Sequence, residues 1–263
     1  MWGKKMLNKQ YRILLGLLFF LAFVGNCFAQ QLNVAVASNA LSAVKVISLA
    51  FEKKTGHTVL ISGGSTGKLY SQIVNGAPFD IFFAANQREP QRLEQAHLIV
   101  PHSRFTYALG RLVAWSSEDS LLKSNDIKDV LNSKSVARVA IANPKIAPYG
   151  LAAQQALQKL GIWSSLEGKI IRGENVSQTY QFAMTNNAQI GFVAMSQILD
   201  ARNKTKGSYW EVPQDMYTPI TQQAVLLLRS QHKAVAAEFA DFMKSDKVRE
   251  ILSGRFGYGI ATL

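Results

Sequence analysis

The sequence predicts an α/β protein built as two lobes, and three observations carry that prediction. Short apolar runs alternate with amphipathic helical patterns from residue 32 to residue 96. That is the signature of a parallel sheet with helices on both faces. A second alternation of the same kind runs from residue 137 to residue 193. Two long apolar segments, centred on 107–113 and 217–225, lie between these halves and read as two strands crossing from one lobe to the other, a two-strand hinge.

The elements follow in order. Lys4, Lys5, Lys9 and Arg12 precede an apolar run from Ile13 to Val24, and a small residue, Ala29, ends the segment. This pattern reads as a secretory signal peptide over residues 1–29, since its apolar part is too short to span a bilayer. Cys27, the single cysteine, leaves with it. Attachment of a lipid at Cys27 is the minor alternative. A mature chain without cysteine has no disulfide and fits a periplasmic location.

Residues 32–37 read as a strand and 41–54 as a helix, with Val44, Ile47 and Phe51 on one face and Gly56 beyond its end. Strand 58–62, helix 68–75, strand 79–84 and helix 88–96 continue the alternation. Residues 105–115 form one long apolar strand with Gly110 inside it. The second half contributes strand 137–141, helix 150–160, strand 169–171, helix 177–186 and strand 190–193. Strand 222–228 and helix 232–243 close the chain. The first lobe is thus expected over 30–107 plus 220–263, the second over 108–219, with a ligand cleft between them.

The formal net charge is +12. Four of the basic residues and no acid fall in the signal segment, leaving 12 − 4 = +8 on the mature chain. An excess of that size reads as a solvated surface or as an attraction for anions. No dense Lys/Arg run with interleaved aromatics points to nucleic acid, and no second apolar segment is long enough to cross a membrane.

The strongest local signal is Gly63-Gly64-Ser65-Thr66-Gly67-Lys68, which joins a strand to a helix. Such a turn aims backbone N–H groups and the positive end of a helix dipole at one point, and so favours an anion. Ser65 and Thr66 add hydroxyl donors. Three further strand ends open helices: Ser38-Asn39, the turn 143–150, and Arg172-Gly173-Glu174-Asn175-Val176. Each could be an ordinary cap, but four of them belong to the same end of the sheets, where open α/β folds bind ligands. A P-loop fails at both ends, because Ser62 and Leu69 stand where Gly and Ser/Thr are required. A dinucleotide fingerprint fails because no glycine follows the first strand. Gly63-Gly64-Ser65-Thr66-Gly67 matches the nucleophile-elbow pattern, so a secreted serine hydrolase using Ser65 remains a rival reading.

Several segments together carry a resemblance: Val34-Ala-Val-Ala-Ser-Asn39, Phe51-Glu-Lys-Lys-Thr-Gly56, Gly64-Ser-Thr-Gly-Lys-Leu69, Asn75-Gly-Ala-Pro-Phe-Asp80, Pro148-Tyr-Gly150, Ala156-Leu-Gln-Lys-Leu-Gly-Ile-Trp163, Glu174-Asn-Val176 and Gly257-Tyr-Gly259. Over essentially the whole mature chain the protein resembles the periplasmic molybdate-binding proteins, the substrate-binding components of ABC importers. The resemblance implies the type 2 periplasmic binding protein fold, a monomer, a membrane permease as partner, molybdate or tungstate as ligand, and neither catalysis nor a cofactor. Carried over by position, it places the oxyanion among Ser38, Asn39, Ser65, Thr66, Tyr149 and Val176, the last two through their backbone N–H groups. No residue is implied as a direct ligand of the metal itself. The family often has a tyrosine where this chain has Ala194, and a serine where it has Asn39, which bears on the donor set and the preferred anion. Another anion such as sulfate, or a small organic acid, is the alternative ligand within the same fold.

Overall fold

The computed structural model describes residues 29–123, 126–200 and 206–260. The expected signal segment up to residue 28, with Cys27, lies outside the described residues. The first half of the chain runs β1 (Gln31–Ala37), a 3-10 turn (Ser38–Ala40), α1 (Leu41–Thr55), β2 (Thr58–Gly64), α2 (Thr66–Val74), β3 (Ile81–Ala84), α3 (Arg88–Gln95) and β4 (Phe105–Gly110). The second half runs β5 (Leu112–Ser116), α4 (Ile127–Asn132), β6 (Val139–Ala142), α5 (Pro148–Lys159), α6 (Trp163–Leu166), β7 (Ile170–Gly173), α7 (Val176–Met184), β8 (Ile190–Ala194), α8 (Met195–Ile198) and β9 (Ser208–Glu211). The chain ends with β10 (Ile220–Leu226), α9 (Lys233–Met243) and α10 (Asp246–Glu250).

These strands form two five-stranded sheets, ordered β2-β1-β3-β10-β4 and β7-β6-β8-β5-β9. Both are mixed where the sequence predicts parallel strands. β1 lies parallel to β2 and β3, while β10 inserts antiparallel between β3 and β4. Likewise β6 lies parallel to β7 and β8, while β5 runs antiparallel to β8 and β9. Each sheet is a βαβ core completed by a strand that arrives from the other half.

The single strand expected over 105–115 is two strands in two sheets. It breaks at Arg111, so residues 108–110, assigned from sequence to the second lobe, belong to β4 of the first sheet. Arg111 Nε donates to Glu211 Oε1 at 2.6 Å. That pair ties the outward crossing to the end of β9, where the return crossing begins. The return strand, Ile220–Leu226, starts and ends two residues before the strand expected over 222–228.

Alternation along the strands sends side chains to two cores. Leu32, Val34, Val36, Ile81 and Phe83 pack under α1 and α9, whereas Ala35, Phe82 and Ala84 face Leu69, Ile73 and Leu93 of α2 and α3. Gly56, at φ 78°, ends α1 in the left-handed region that a glycine adopts without strain. Asp80 is buried, accepts from Asn33 N at 2.7 Å and from Ser230 Oγ at 2.6 Å, and holds β3 to the loop after β10.

Candidate functional site

Four chain reversals at the carboxyl ends of β1, β2, β6 and β7 converge on one cavity, and Ser38, Asn39, Ser65, Thr66, Tyr149 and Val176 all line it. Each of the six is buried. Gly64, Ala37, Ala85, Ala147 and Pro148 complete the wall, so no charged side chain faces the space. The volume open to the centre of a water-sized sphere is 10 Å³, room for about one such sphere. Larger concavities exist, one of 280 Å³ beside α3 and α5 that shares Ala85, Ala147 and Pro148 with this cavity, and one of 780 Å³ between α1 and β2. The first is lined also by Arg88 and the second by Lys45, Glu52 and Asp200, whereas the residues around the small cavity carry no charge.

Ser65 occupies the N-cap position of α2, yet its hydroxyl caps nothing. Its Oγ is buried without a hydrogen-bond partner among the described residues. A lone hydroxyl shut away from water costs about 1–3 kcal/mol unless something pairs with it. Thr66 Oγ1 accepts from Ala85 N at 3.1 Å, which leaves its O–H to donate toward the cavity.

The backbone donors arise from the helix starts. Pro148 opens α5 and brings no N–H, so Tyr149 presents the first one. At α7, the Asn175 side chain accepts from Ser177 N at 3.0 Å and Gln178 N at 3.1 Å, leaving Val176 N at the mouth of the helix. Among the described residues, the N–H groups of Tyr149 and Val176 are unpaired. Gly150 lets α5 start this close to the sheet: a Cβ there would stand 2.1 Å from Ala142 O.

Asn39 sits at the cavity, but its side chain is spent behind it. Nδ2 donates to Gln222 Oε1 at 2.8 Å and to Tyr258 Oη at 3.2 Å. Tyr258 Oη donates to Asn39 O at 2.9 Å, and Tyr107 Oη to Gln222 Oε1 at 2.9 Å. Burial holds all three phenols of this region above the usual tyrosine range, with Tyr258 pushed up to about 12 and Tyr107 and Tyr149 raised well above 10. They stay neutral hydrogen-bonding groups at any physiological pH. Sequence reading missed this hub because Asn39, Tyr107, Gln222 and Tyr258 are far apart in the chain. The single trace was Gly257-Tyr-Gly259, singled out above without a role. Ala194 supplies no hydroxyl; Tyr258 brings one to Asn39 O and stands beside Ser196.

Contacts between the two halves surround the cavity. Gly67 N donates to Ile146 O at 2.9 Å, Ser177 Oγ to Ser38 O at 3.2 Å, and Ser196 Oγ to Asn39 O at 3.0 Å. Among the described residues the elements of a hydrolase do not assemble. Ser65 is not bonded to a histidine, and His232 instead faces Asp80 at 3.4 Å. Among the described residues no cluster of three or more His, Cys, Asp or Glu could hold a metal ion.

The family described as bacterial extracellular solute-binding protein matches residues 32–259. The molybdate-binding protein ModA of Azotobacter vinelandii is 44% identical over 236 residues, covering 89% of this chain and 92% of its own length. ModA of Rhodobacter capsulatus is 43% identical, covering 88% of each chain. The solved structure of the periplasmic molybdate-binding protein of A. vinelandii superposes with a TM-score of 0.83 at 40% identity, over 88% of this chain and 100% of that one. This chain therefore belongs to the bacterial extracellular solute-binding protein family, and its two-lobed α/β architecture is the type 2 periplasmic binding protein fold expected from the sequence.

Proposed function

We propose that this solute-binding protein captures molybdate, or tungstate, in the periplasm and delivers it to the membrane permease of an ABC importer. One observation carries the reading: a buried, unpaired Ser65 hydroxyl in a wall of neutral donors, with the Tyr149 and Val176 N–H groups beside it. Helix starts supply positive potential, so a dianion needs no countercharge. Protonated phosphate carries an O–H that finds no acceptor in such a wall, at a cost of about 1–3 kcal/mol. A fully ionised tetrahedral oxyanion has no such proton.

In this reading the donors are Ser38, Asn39, Ser65, Thr66, Tyr149 and Val176. Asn39 acts through its backbone, because its amide hydrogens are already engaged. Residues 1–29 direct export, the mature protein works as a monomer, and the crossings near Arg111 and before Ile220 let the lobes, divided near residues 110 and 220, close over the anion. The chain binds and does not catalyse. The names of its ModA relatives favour molybdate over sulfate. Titration calorimetry of the mature chain against molybdate, tungstate, sulfate, phosphate and chromate tests this. Tight binding of the first two supports it; binding of sulfate or phosphate with none of molybdate refutes it.

A further inference from the structure

Gln222 lies between the two halves of the cavity wall and is fully buried. It sits at an irregularity: the β10–β4 register shifts between Gln222 and Gln223, which face Ala108 and Thr106 and skip Tyr107. The extra residue is Tyr107, so the bulge lies in β4 opposite Gln222, and bulges are common beside functional sites.

Both lone pairs of Gln222 Oε1 are used. They accept from Asn39 Nδ2 at 2.8 Å and from Tyr107 Oη at 2.9 Å. This fixes the amide, so Nε2 points to the other side. There it makes no well-formed hydrogen bond among the described residues, and neither does the equally buried Tyr149 Oη, although the two lie near enough for the Gln222 amide already to favour the Tyr149 phenolate. The two atoms flank the same point. A Cβ added to Gly110 would lie 2.4 Å from Tyr149 Oη and 2.9 Å from Gln222 Nε2. Only the missing side chain of Gly110, at the outward crossing, leaves that space open.

Tyr149 offers its backbone N–H to the cavity from the second sheet's half, while Asn39 faces the cavity from the first. We propose that Gln222 is a positioning residue that couples these two halves: when the lobes seat on the anion, the existing approach of Gln222 Nε2 to Tyr149 Oη tightens into a full hydrogen bond, and that bond aligns the Tyr149 N–H with the anion. The inference rests on the anion-binding reading above. It assigns Gln222 no contact with the ligand. It also explains why a tyrosine stands where only a backbone N–H is needed.

The test uses calorimetry with molybdate and tungstate on the full mature chain and on Tyr149→Phe, Gln222→Met and the double variant. Tyr149→Phe keeps the backbone donor and loses only the hydroxyl. It is expected to weaken binding about tenfold without lowering the melting temperature of the ligand-free protein. In the Gln222→Met background the same change is expected to have no further effect. An undiminished affinity of Tyr149→Phe, or an equal loss in both backgrounds, overturns the inference. If Gln222→Met does not fold, Tyr149→Phe alone decides by its affinity and its ligand-free melting temperature. Failure of the unmodified chain to bind any oxyanion overturns the anion-binding reading and this inference with it. Binding by the unmodified chain with no effect of Tyr149→Phe overturns this inference alone.

Discussion

Lys68 Nζ donates to Glu174 Oε1 at 2.9 Å, joining the first turn of α2 to the loop that precedes α7. A lysine is electrostatically misplaced at a helix start, and the carboxylate from the other half offsets that. The pair is about half exposed, 51% and 44%, so it contributes about 0–1 kcal/mol and is screened by salt. Lys68→Ala should weaken anion affinity by no more than about fivefold, by disfavouring the closed arrangement, and the deficit should shrink at high ionic strength. Calorimetry at two salt concentrations checks this; a loss of a hundredfold would make Lys68 a direct ligand instead.

Ser65 and Thr66 are neighbours with different dependencies. Ser65→Ala removes a hydroxyl that pairs with nothing in the protein. It should leave the ligand-free melting temperature unchanged or slightly higher. Anion affinity should fall by about 10- to 100-fold, the worth of a hydrogen bond to a charged group. Thr66→Val also strips Ala85 N of its acceptor, so it should lower stability and affinity together. Equal destabilisation by the two substitutions would contradict the assigned roles. Ester hydrolysis lost in Ser65→Ala would revive the hydrolase reading.

The buried phenols set an alkaline limit. In the unfolded chain a tyrosine ionises near pH 10, while folded Tyr258 keeps its proton up to about 12. Between those values unfolding releases a proton. Stability that is complete below pH 10 is therefore lost as pH rises toward 12. Thermal melts should show no tyrosine-linked change from pH 6 to 9 and a steep fall above 10. Tyr258→Phe should make that fall shallower, at the cost of a lower melting temperature at neutral pH from the lost bonds to Asn39 and Ser196. An unchanged alkaline slope would show that Tyr258 does not carry the effect.

Gly150 offers a steric test. A Cβ 2.1 Å from Ala142 O meets backbone that cannot step aside. Gly150→Ala should displace the start of α5, cost about 1–3 kcal/mol or more, and move the Tyr149 N–H off the cavity. Denaturant unfolding and calorimetry should both register the change. Full affinity in this variant would argue against Tyr149 as a donor.

The βαβ alternation and the helix starts were legible because each is written within a dozen residues, as in Gly64-Ser65-Thr66 or Pro148-Tyr149-Gly150. What escaped was non-local. The largely apolar run over 105–115 hides the change of sheet, since its interruption, Gly110-Arg111, can sit within a single strand as well as between two. The role of Asn39 could be placed at the site from its position after β1. Its engagement by Gln222 and Tyr258 could not, because Gln222 lies 183 residues away. Mixed sheets were also hidden, for strand direction is decided by where the returning chain inserts.

The place of β10 in the first sheet has a consequence for how the molecule comes into being. The strands of the second sheet are contiguous in the chain, from Leu112 to Glu211, whereas the first sheet lacks an inner strand until residue 226 is available. Early-synthesised residues must wait for late ones, and long-range pairing is slow to form. The first half thus stays unfinished through most of synthesis. Pulse proteolysis during refolding should find the second sheet protected first; simultaneous protection of both would show that β10 docks too fast for its late position to matter.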